Sequence, residues 1–280
     1  MRFVSYEAGG EASFGLAVRD GVVDLKGRLG APSLKALIAD DGLGRAAAFT
    51  NAKADHALAD VAFLPVIPDP EKVICIGINY EDHRAETGRA AVAHPTVFTR
   101  FADTQIGHGA AILKPKVSET VDYEGELAVV IGREGRAVPE ARALEHVAGF
   151  ACYNDVSIRD FQRHTTQFTP GKNFPASGPF GPWLTTPDEV GPLGPQRIQT
   201  RLNGEVVQDA KLEQLIFDVP KLIAYLSLWT VLRPGDVIVT GTPGGVGAAR
   251  TPPLWMKPGD VVEVEIDGVG LLRNPIAAEA

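Results

Sequence analysis

Short apolar runs separated by polar and Pro/Gly punctuation set the pattern of this chain. Lys72-Val73-Ile74-Cys75-Ile76-Gly77, Leu127-Ala128-Val129-Val130-Ile131-Gly132 and Asp236-Val237-Ile238-Val239-Thr240-Gly241 are near-continuous apolar stretches of strand length. That is the pattern of strands buried on both faces. Asp260-Val261-Val262-Glu263-Val264-Glu265-Ile266 alternates instead and predicts a half-exposed strand. Near the N-terminus, Phe3 to Tyr6, Phe14 to Val18 and Gly21 to Leu25 predict three more strands. Helical patterns are fewer. They cover Ser33 to Ile38 with Ser33 as N-cap, Pro139 to Val147 with Pro139 in the first turn, and Val219 to Ser227. The strands bunch without a regular strand–helix alternation, so the predicted class is α+β, mostly β, around a β-sandwich or roll.

The segment Leu64-Pro65-Val66-Ile67-Pro68-Asp69-Pro70 places three prolines in six residues and predicts an extended linker. The expected organisation is a small β-rich N-terminal domain over 1–68 and a larger catalytic domain over 69–280. With 280 residues the chain can bury a sizeable core, and a 45% hydrophobic, 22% charged composition sets disorder aside. The 30 glycines and 21 prolines favour many turns between short strands.

A formal net charge of −8 without a dense Lys/Arg cluster excludes nucleic acid as a partner. An anionic substrate would then need a metal or a few placed cations. Cys75 and Cys152 both lie in apolar runs, as small core residues do, and offer neither a disulfide framework nor zinc spacing. The first residues lack an apolar signal core, and no stretch is long enough to span a bilayer. A cytoplasmic location without a membrane partner is the resulting expectation.

Candidate chemistry starts at Asp122-Tyr123-Glu124-Gly125-Glu126. On a strand, Glu124 and Glu126 share a face, and side-by-side carboxylates are costly without a cation or proton between them. Gly125 leaves room for close backbone approach, and an oxygen-rich pair suits a hard cation such as Mg²⁺. The pair alone is also what an exposed acidic strand face would show. Phe150-Ala151-Cys152-Tyr153-Asn154-Asp155-Val156-Ser157 adds a carboxylate inside an apolar run, expensive to bury unless paired or metal-bound, which makes Asp155 a candidate third ligand. Asp155, Arg159 and Gln162 follow at i, i+4 and i+7 and would share one face of a helix, although an ordinary Asp–Arg pair has the same spacing.

These segments resemble signatures of the fumarylacetoacetate hydrolase family. Asp122 to Gly132 is similar to its metal-binding strand, Gly149 to Gln162 to its second signature, and Arg233 to Gly247 to its third. The matches run in order from about residue 70 to 275. The resemblance implies Glu124, Glu126 and Asp155 as ligands of Mg²⁺ or Mn²⁺, a β-sandwich roll for the C-terminal domain, and a homodimer.

On a short helix His83 and Glu86 are i, i+3 neighbours, and a carboxylate beside an imidazole suits a general base, although solvated surface pairs share this spacing. The stretch Asn79 to Gly88 resembles the lid of shorter family members, whose dyad activates water. Lys172, a lone cation in a Pro/Gly segment, is by itself an ordinary surface residue; it resembles the family lysine that faces the metal site. Two positions depart from the family pattern. Pro175 stands where Asp is frequent, and Arg100 where Lys is frequent. Gly241-Thr242-Pro243-Gly244-Gly245-Val246-Gly247 lacks the Lys-Ser/Thr of a phosphate loop. It reads as a substrate loop in which the Thr242 hydroxyl and N–H bind a carboxylate, or as a tight turn.

The expected activity is metal-dependent hydrolysis of a C–C bond in an acylpyruvate-type 2,4-diketo acid. His83, oriented by Glu86, deprotonates water, and Arg159, Gln162 and Lys172 stabilise oxyanionic charge. A lyase on a related 2-oxo acid, whether decarboxylase, isomerase or hydratase, would use the same metal site. A non-catalytic metal-stabilised binding protein is the third alternative, against which the His83–Glu86 pair argues. The substrate's distal group is left open.

Overall fold

In the computed structural model, which describes residues 1–19 and 21–280, the apolar runs become neighbouring strands of one large mixed sheet. Its spatial order is Gly21–Asp24, Glu11–Val18, Arg2–Ala8, Gly178–Thr185, Val147–Asn154, Gly125–Ile131, Val237–Val239, Val73–Gly77 and Thr96–Arg100. Gly125–Ile131 lies at the middle, antiparallel to both neighbours, with Ala128 opposite Ala151 and Val239. Every residue of this strand is buried, which accounts for its unbroken apolar sequence. Val237–Val239 and Val73–Gly77 pair in parallel.

A second sheet runs Glu205–Lys211, Arg197–Leu202, Val261–Ile266, Gly270–Ala278 and Ile112–Lys114. Its strand Val261–Ile266 alternates partly and fully buried positions, as the sequence predicts. Leu127, Val129 and Cys152 of the first sheet pack with Ile198, Val264 and Leu272 of the second, closing a sandwich. The architecture is mostly β with mixed sheets, in agreement with the expected class.

The leading segment closes no sheet of its own. Arg2 and Phe3 pair with Thr185 and Leu184 of the main sheet. Phe3, Phe14 and Leu37 share a core with Val73, Ala128 and Val237. Ser33 caps the helix Leu34–Ala39, its side chain accepting from the Ala36 N–H. Asp218, followed by Pro220 in the first turn, caps the eleven-residue helix Val219–Trp229. Two helical expectations need correction. Glu140–His146 is a 3-10 helix rather than an α-helix. The chain from Asp155 to Gln162 is not one helix either: it leaves the strand at Asn154, forms the short strand Ser157–Ile158, and turns helical only over Arg159–Gln162. Pairing of Ser157 and Ile158 with Asp122 and Val121 holds that stretch extended. No helix among the described residues is long and apolar enough to cross a membrane. Cys75 and Cys152 are both buried free thiols.

Candidate functional site

Three carboxylates meet at one end of the central strand. Glu124 precedes it, Glu126 is its second residue, and Asp155 follows the neighbouring strand Val147–Asn154. The Asp155 N–H donates to the Glu124 carbonyl at 2.9 Å, and the Glu124 N–H to Asn154 Oδ1 at 2.9 Å, so the two strand ends are tied together. All three side chains are buried, and each brings a carboxylate oxygen within 4.8 Å of the others. Gly125 is needed for this packing. A Cβ there would lie 2.1 Å from Thr200 Oγ1 of the second sheet. The close approach predicted for Gly125 is therefore to the opposite sheet.

The charges around the three carboxylates are unevenly compensated. Lys172, 1% exposed, places Nζ 2.5 Å from both Glu124 and Asp155. Arg100 Nη1 donates to Asp155 Oδ1 at 2.6 Å and Nη2 to Ser177 Oγ at 2.5 Å. Arg159 Nη2 approaches Glu124 at 2.7 Å, an ion pair without hydrogen-bond alignment, so Nη2 keeps an unused donor direction. Burial alone would raise the Glu124 carboxyl, but Arg159 and Lys172 outweigh it and hold Glu124 below the ordinary range. Among the described residues Glu126 has only the Gly241 N–H as donor. Burial, then the Asp155 and Glu124 charges, push it well above the ordinary range. A buried carboxylate left in that state needs a proton or a cation, and an all-oxygen donor set fits a hard divalent ion. Glu124, Glu126 and Asp155 are the residues that would hold it.

The other candidates converge on the same place. A cleft of about 520 Å³ is lined by all nine residues singled out in the sequence: the three carboxylates together with His83, Glu86, Arg159, Gln162, Lys172 and Thr242. His83 and Glu86 lie on the helix Glu81–Glu86, with Nδ1 2.7 Å from Glu86 Oε1. Burial raises the Glu86 carboxyl, yet the bonds from His83 and the Gly245 N–H outweigh it, and Glu86 stays below its ordinary value. Lys172 ends the one-turn helix Thr169–Lys172 and is fully interior, not a surface cation. Arg159 Nη1 donates to Gln162 Oε1 at 2.9 Å. Despite the broken helix, Asp155, Arg159 and Gln162 therefore still face one cleft.

The loop 241–247 acts mainly through its backbone. Gly241 N–H donates to Glu126, Gly245 N–H to Glu86, and Gly247 N–H to Asp122. Thr242 corrects part of its expected role. Its hydroxyl donates to the Gly125 carbonyl at 3.0 Å and accepts from Gln208 Nε2 at 2.8 Å. The single hydroxyl proton is thus engaged, and only the N–H is left for a ligand. Pro175 is exposed, and the chain around it is held by Ser177 and Asn173 instead.

Three residues of the site's support carried no assignment in the sequence. Asp122, fully buried, accepts from Gly247 N–H, Ala248 N–H and Arg159 Nε, each at 2.8 Å. Gln208 bonds Gly125 and the loop at Thr242 and Pro243. Asn79, fully buried behind the cleft-lining Ile78, donates to the Thr240 and Phe217 carbonyls. Beside it Ile78 has φ 58°, a conformation that costs a β-branched residue about 1–3 kcal/mol and that Asn79's bonds hold in place. Asp122 stood inside a quoted motif, where a buried carboxylate next to an apolar strand was the available signal. Gln208 and Asn79 gave none.

Comparison with known proteins agrees with this geometry. Residues 72–277 match the family model described as fumarylacetoacetate (FAA) hydrolase C-terminal. A protein of Xenopus laevis named mitochondrial oxaloacetate tautomerase is 38% identical over 289 residues, covering 99% of this chain and 90% of that protein. The crystal structure of a fumarylacetoacetate hydrolase from Exiguobacterium antarcticum superposes with a TM-score of 0.87 at 34% identity, covering 100% of both chains. A maleylpyruvate hydrolase from Sphingobium sp. SYK-6, solved with manganese(II) and pyruvate, superposes with a TM-score of 0.84 at 28% identity, again over 100% of both chains. Hydrolases and a tautomerase thus share this fold and sequence pattern, and one of them binds a divalent metal with a 2-oxo acid. With three quarters of its length matched and a buried acidic triad at the expected strand ends, the chain belongs to the fumarylacetoacetate hydrolase family.

Proposed function

We propose that the protein hydrolyses a C–C bond of an acylpyruvate-type 2,4-dioxo acid, releasing a 2-oxo acid such as pyruvate and a carboxylic acid. The observation that carries this reading is the His83–Glu86 pair, hydrogen-bonded at 2.7 Å and opening onto the same cleft as the acidic triad. Glu86, kept anionic by His83 and the Gly245 N–H, accepts from Nδ1–H. That tautomer leaves Nε2 as the acceptor for a proton from water. The water oxygen bonds to the distal carbonyl carbon as His83 takes its proton. The bond between that carbon and C3 then breaks, its electron pair stays with the 2-oxo acid half, and C3 takes up a proton. Lys172 and the unused donor of Arg159 supply positive charge beside the oxygens that become negative. A divalent cation at Glu124, Glu126 and Asp155, Mg²⁺ or Mn²⁺, would supply Lewis-acid polarisation of the 2-oxo acid.

The test is to assay His83→Ala and Glu86→Gln on an acylpyruvate and on oxaloacetate. Loss of a general base lowers the rate by about 10²–10⁴-fold, so His83→Ala should lose acylpyruvate cleavage while still binding Mn²⁺. Glu86→Gln should lose less, because the imidazole survives but is poorly oriented. Unchanged cleavage in His83→Ala would sink the assignment.

A second reading, tautomerisation of a related 2-oxo acid, draws on the 38% identity to the Xenopus laevis protein across nearly the whole chain. It requires proton transfer at C3 but no attacking water. Wild-type protein that leaves acylpyruvates intact yet speeds keto–enol exchange of oxaloacetate would replace the first reading with the second.

A further inference from the structure

The cleft contains more positive charge than its own carboxylates use. Each of its carboxylates already has a hydrogen-bond or ion-pair partner, and the countercharge that Glu126 lacks would come from the ion held by the triad. Glu86 accepts from His83 and the Gly245 N–H, and Glu126 from the Gly241 N–H. Glu124 is paired with Lys172 and Arg159, and Asp155 with Lys172 and Arg100. Two further arginines line the same cleft, Arg89 and Arg163. Neither makes a side-chain hydrogen bond or ion pair among the described residues, and both residues are exposed at the cleft's open side. Arg89 follows the helix that carries His83 and Glu86; Arg163 directly follows the turn that carries Arg159 and Gln162. Thr165 and Thr166 add hydroxyls to the lining beside Arg163.

In a chain of net charge −8, two unpaired arginines opening on one cleft mark a local reversal of sign. A guanidinium presents a planar fork that matches a carboxylate. The 2-oxo acid end of a substrate belongs to the buried end of the cleft, beside the triad and Lys172. An anion meeting Arg89 and Arg163 must therefore sit at the other end of the same molecule.

We propose that Arg89 and Arg163 are specificity-determining residues that receive a second, distal carboxylate, so that the preferred substrate is a dicarboxylic 2-oxo acid rather than one ending in an alkyl group. This deepens the proposed function and rests on it for the turnover measurement below, but not for the binding measurement.

The experiment compares wild type with the double variant Arg89→Gln/Arg163→Gln and with Arg89→Lys/Arg163→Lys. Two 2,4-dioxo acids of equal length serve as substrates, one ending in carboxylate and one in methyl, with Mn²⁺ present. Wild type should favour the carboxylate-ended acid by about tenfold or more in kcat/KM, the scale of a hydrogen bond to a charged group. The difference should lie mainly in KM. In the glutamine variant the ratio should collapse towards one, and the lysine variant should keep part of it. A wild type without preference, or a preference that survives the glutamine substitutions, overturns the proposal.

Calorimetry of the Mn²⁺-loaded protein with 2-oxoglutarate and 2-oxopentanoate gives the same ratio as an affinity, without turnover. If neither dioxo acid is cleaved, the hydrolase reading fails by itself. The affinity ratio then decides the distal site: a ratio near one in wild type, or one unchanged in the glutamine variant, overturns it.

Discussion

Glu126 shows at the scale of one residue why this site needs a cation. Glu124 and Asp155 each have a lysine or arginine against them, whereas Glu126 has a single backbone N–H. Burial and two neighbouring carboxylates make its ionised form costly until positive charge arrives. Glu126→Gln keeps the volume and the acceptor for Gly241 but removes the charge. We expect the variant to fold and to lose Mn²⁺ affinity by about 100-fold or more, beyond what supporting residues of metal sites typically contribute. Calorimetry giving the wild-type affinity would remove Glu126 from the ligand set. Arg100 is the complementary case. Its fork spans Asp155 and Ser177 at once, a geometry that the point charge of a lysine does not reproduce.

Single elements carry the next level of constraint. The central strand meets the second sheet at Gly125, where a Cβ would fall 2.1 Å from Thr200 Oγ1 and 3.3 Å from Val264. Gly125→Ala should destabilise by about 1–3 kcal/mol through overpacking. Adding Thr200→Ala removes the clashing oxygen, so the double variant should regain part of the loss, a coupling that urea unfolding of the four proteins would measure. Additive effects would mean that the contact does not limit the packing. In the leading hairpin, Asp24 joins three strands by accepting from Tyr6 and Ser13 at 2.6 and 2.5 Å. Burial would raise its carboxyl, but the bonds from Ser13, Tyr6 and nearby backbone outweigh it and lower the pKa. A depressed folded value contributes stability that is fully present above the unfolded pKa of about 3.9 and is lost as pH falls through the folded value. Asp24→Asn should therefore be less stable than wild type near neutrality, and the gap should narrow below about pH 4. A gap independent of pH in acid-unfolding curves would contradict this.

Across the whole molecule the site lies where the elements of both sheets meet, so metal binding and folding stability are linked. An ion that binds only the folded chain adds about 2.7 kcal/mol at 100 times its Kd. For a chain of this size that corresponds to a Tm rise of roughly 5 °C. The rise should appear with Mn²⁺, vanish with chelator and be missing in Glu126→Gln. Oxalate should tighten Mn²⁺ binding by the same factor by which Mn²⁺ tightens oxalate. Independent affinities would mean that the 2-oxo acid end does not reach the ion.

Much of this was legible in the sequence, because its signals are local. Continuous apolar runs placed the central strands, the cap at Ser33 and the pattern of Val219 to Ser227 placed helices, three ordered motifs placed the triad and the loop at 241, and two further segments placed His83–Glu86 and Lys172. The parts that were not legible depend on contacts between distant segments. Helical spacing from Asp155 to Gln162 suggested one helix, but pairing of Ser157 and Ile158 with Val121 and Asp122 holds the start of that stretch extended. The proline-rich segment at 64–70 marked a boundary, yet the leading strands join the main sheet through Arg2 and Phe3. Thr242 looked free to bind a ligand until Gly125 and Gln208 were found to engage its hydroxyl. Asp122, Gln208 and Asn79 support the site through bonds to residues 37 to 161 positions away. The sequence alone determined which chemical groups were present and where the central strands run, since residue type and period are local properties. Only the tertiary structure decided which polar groups remain unpaired, because each donor or acceptor is satisfied by whatever the rest of the fold brings within about 3 Å of it.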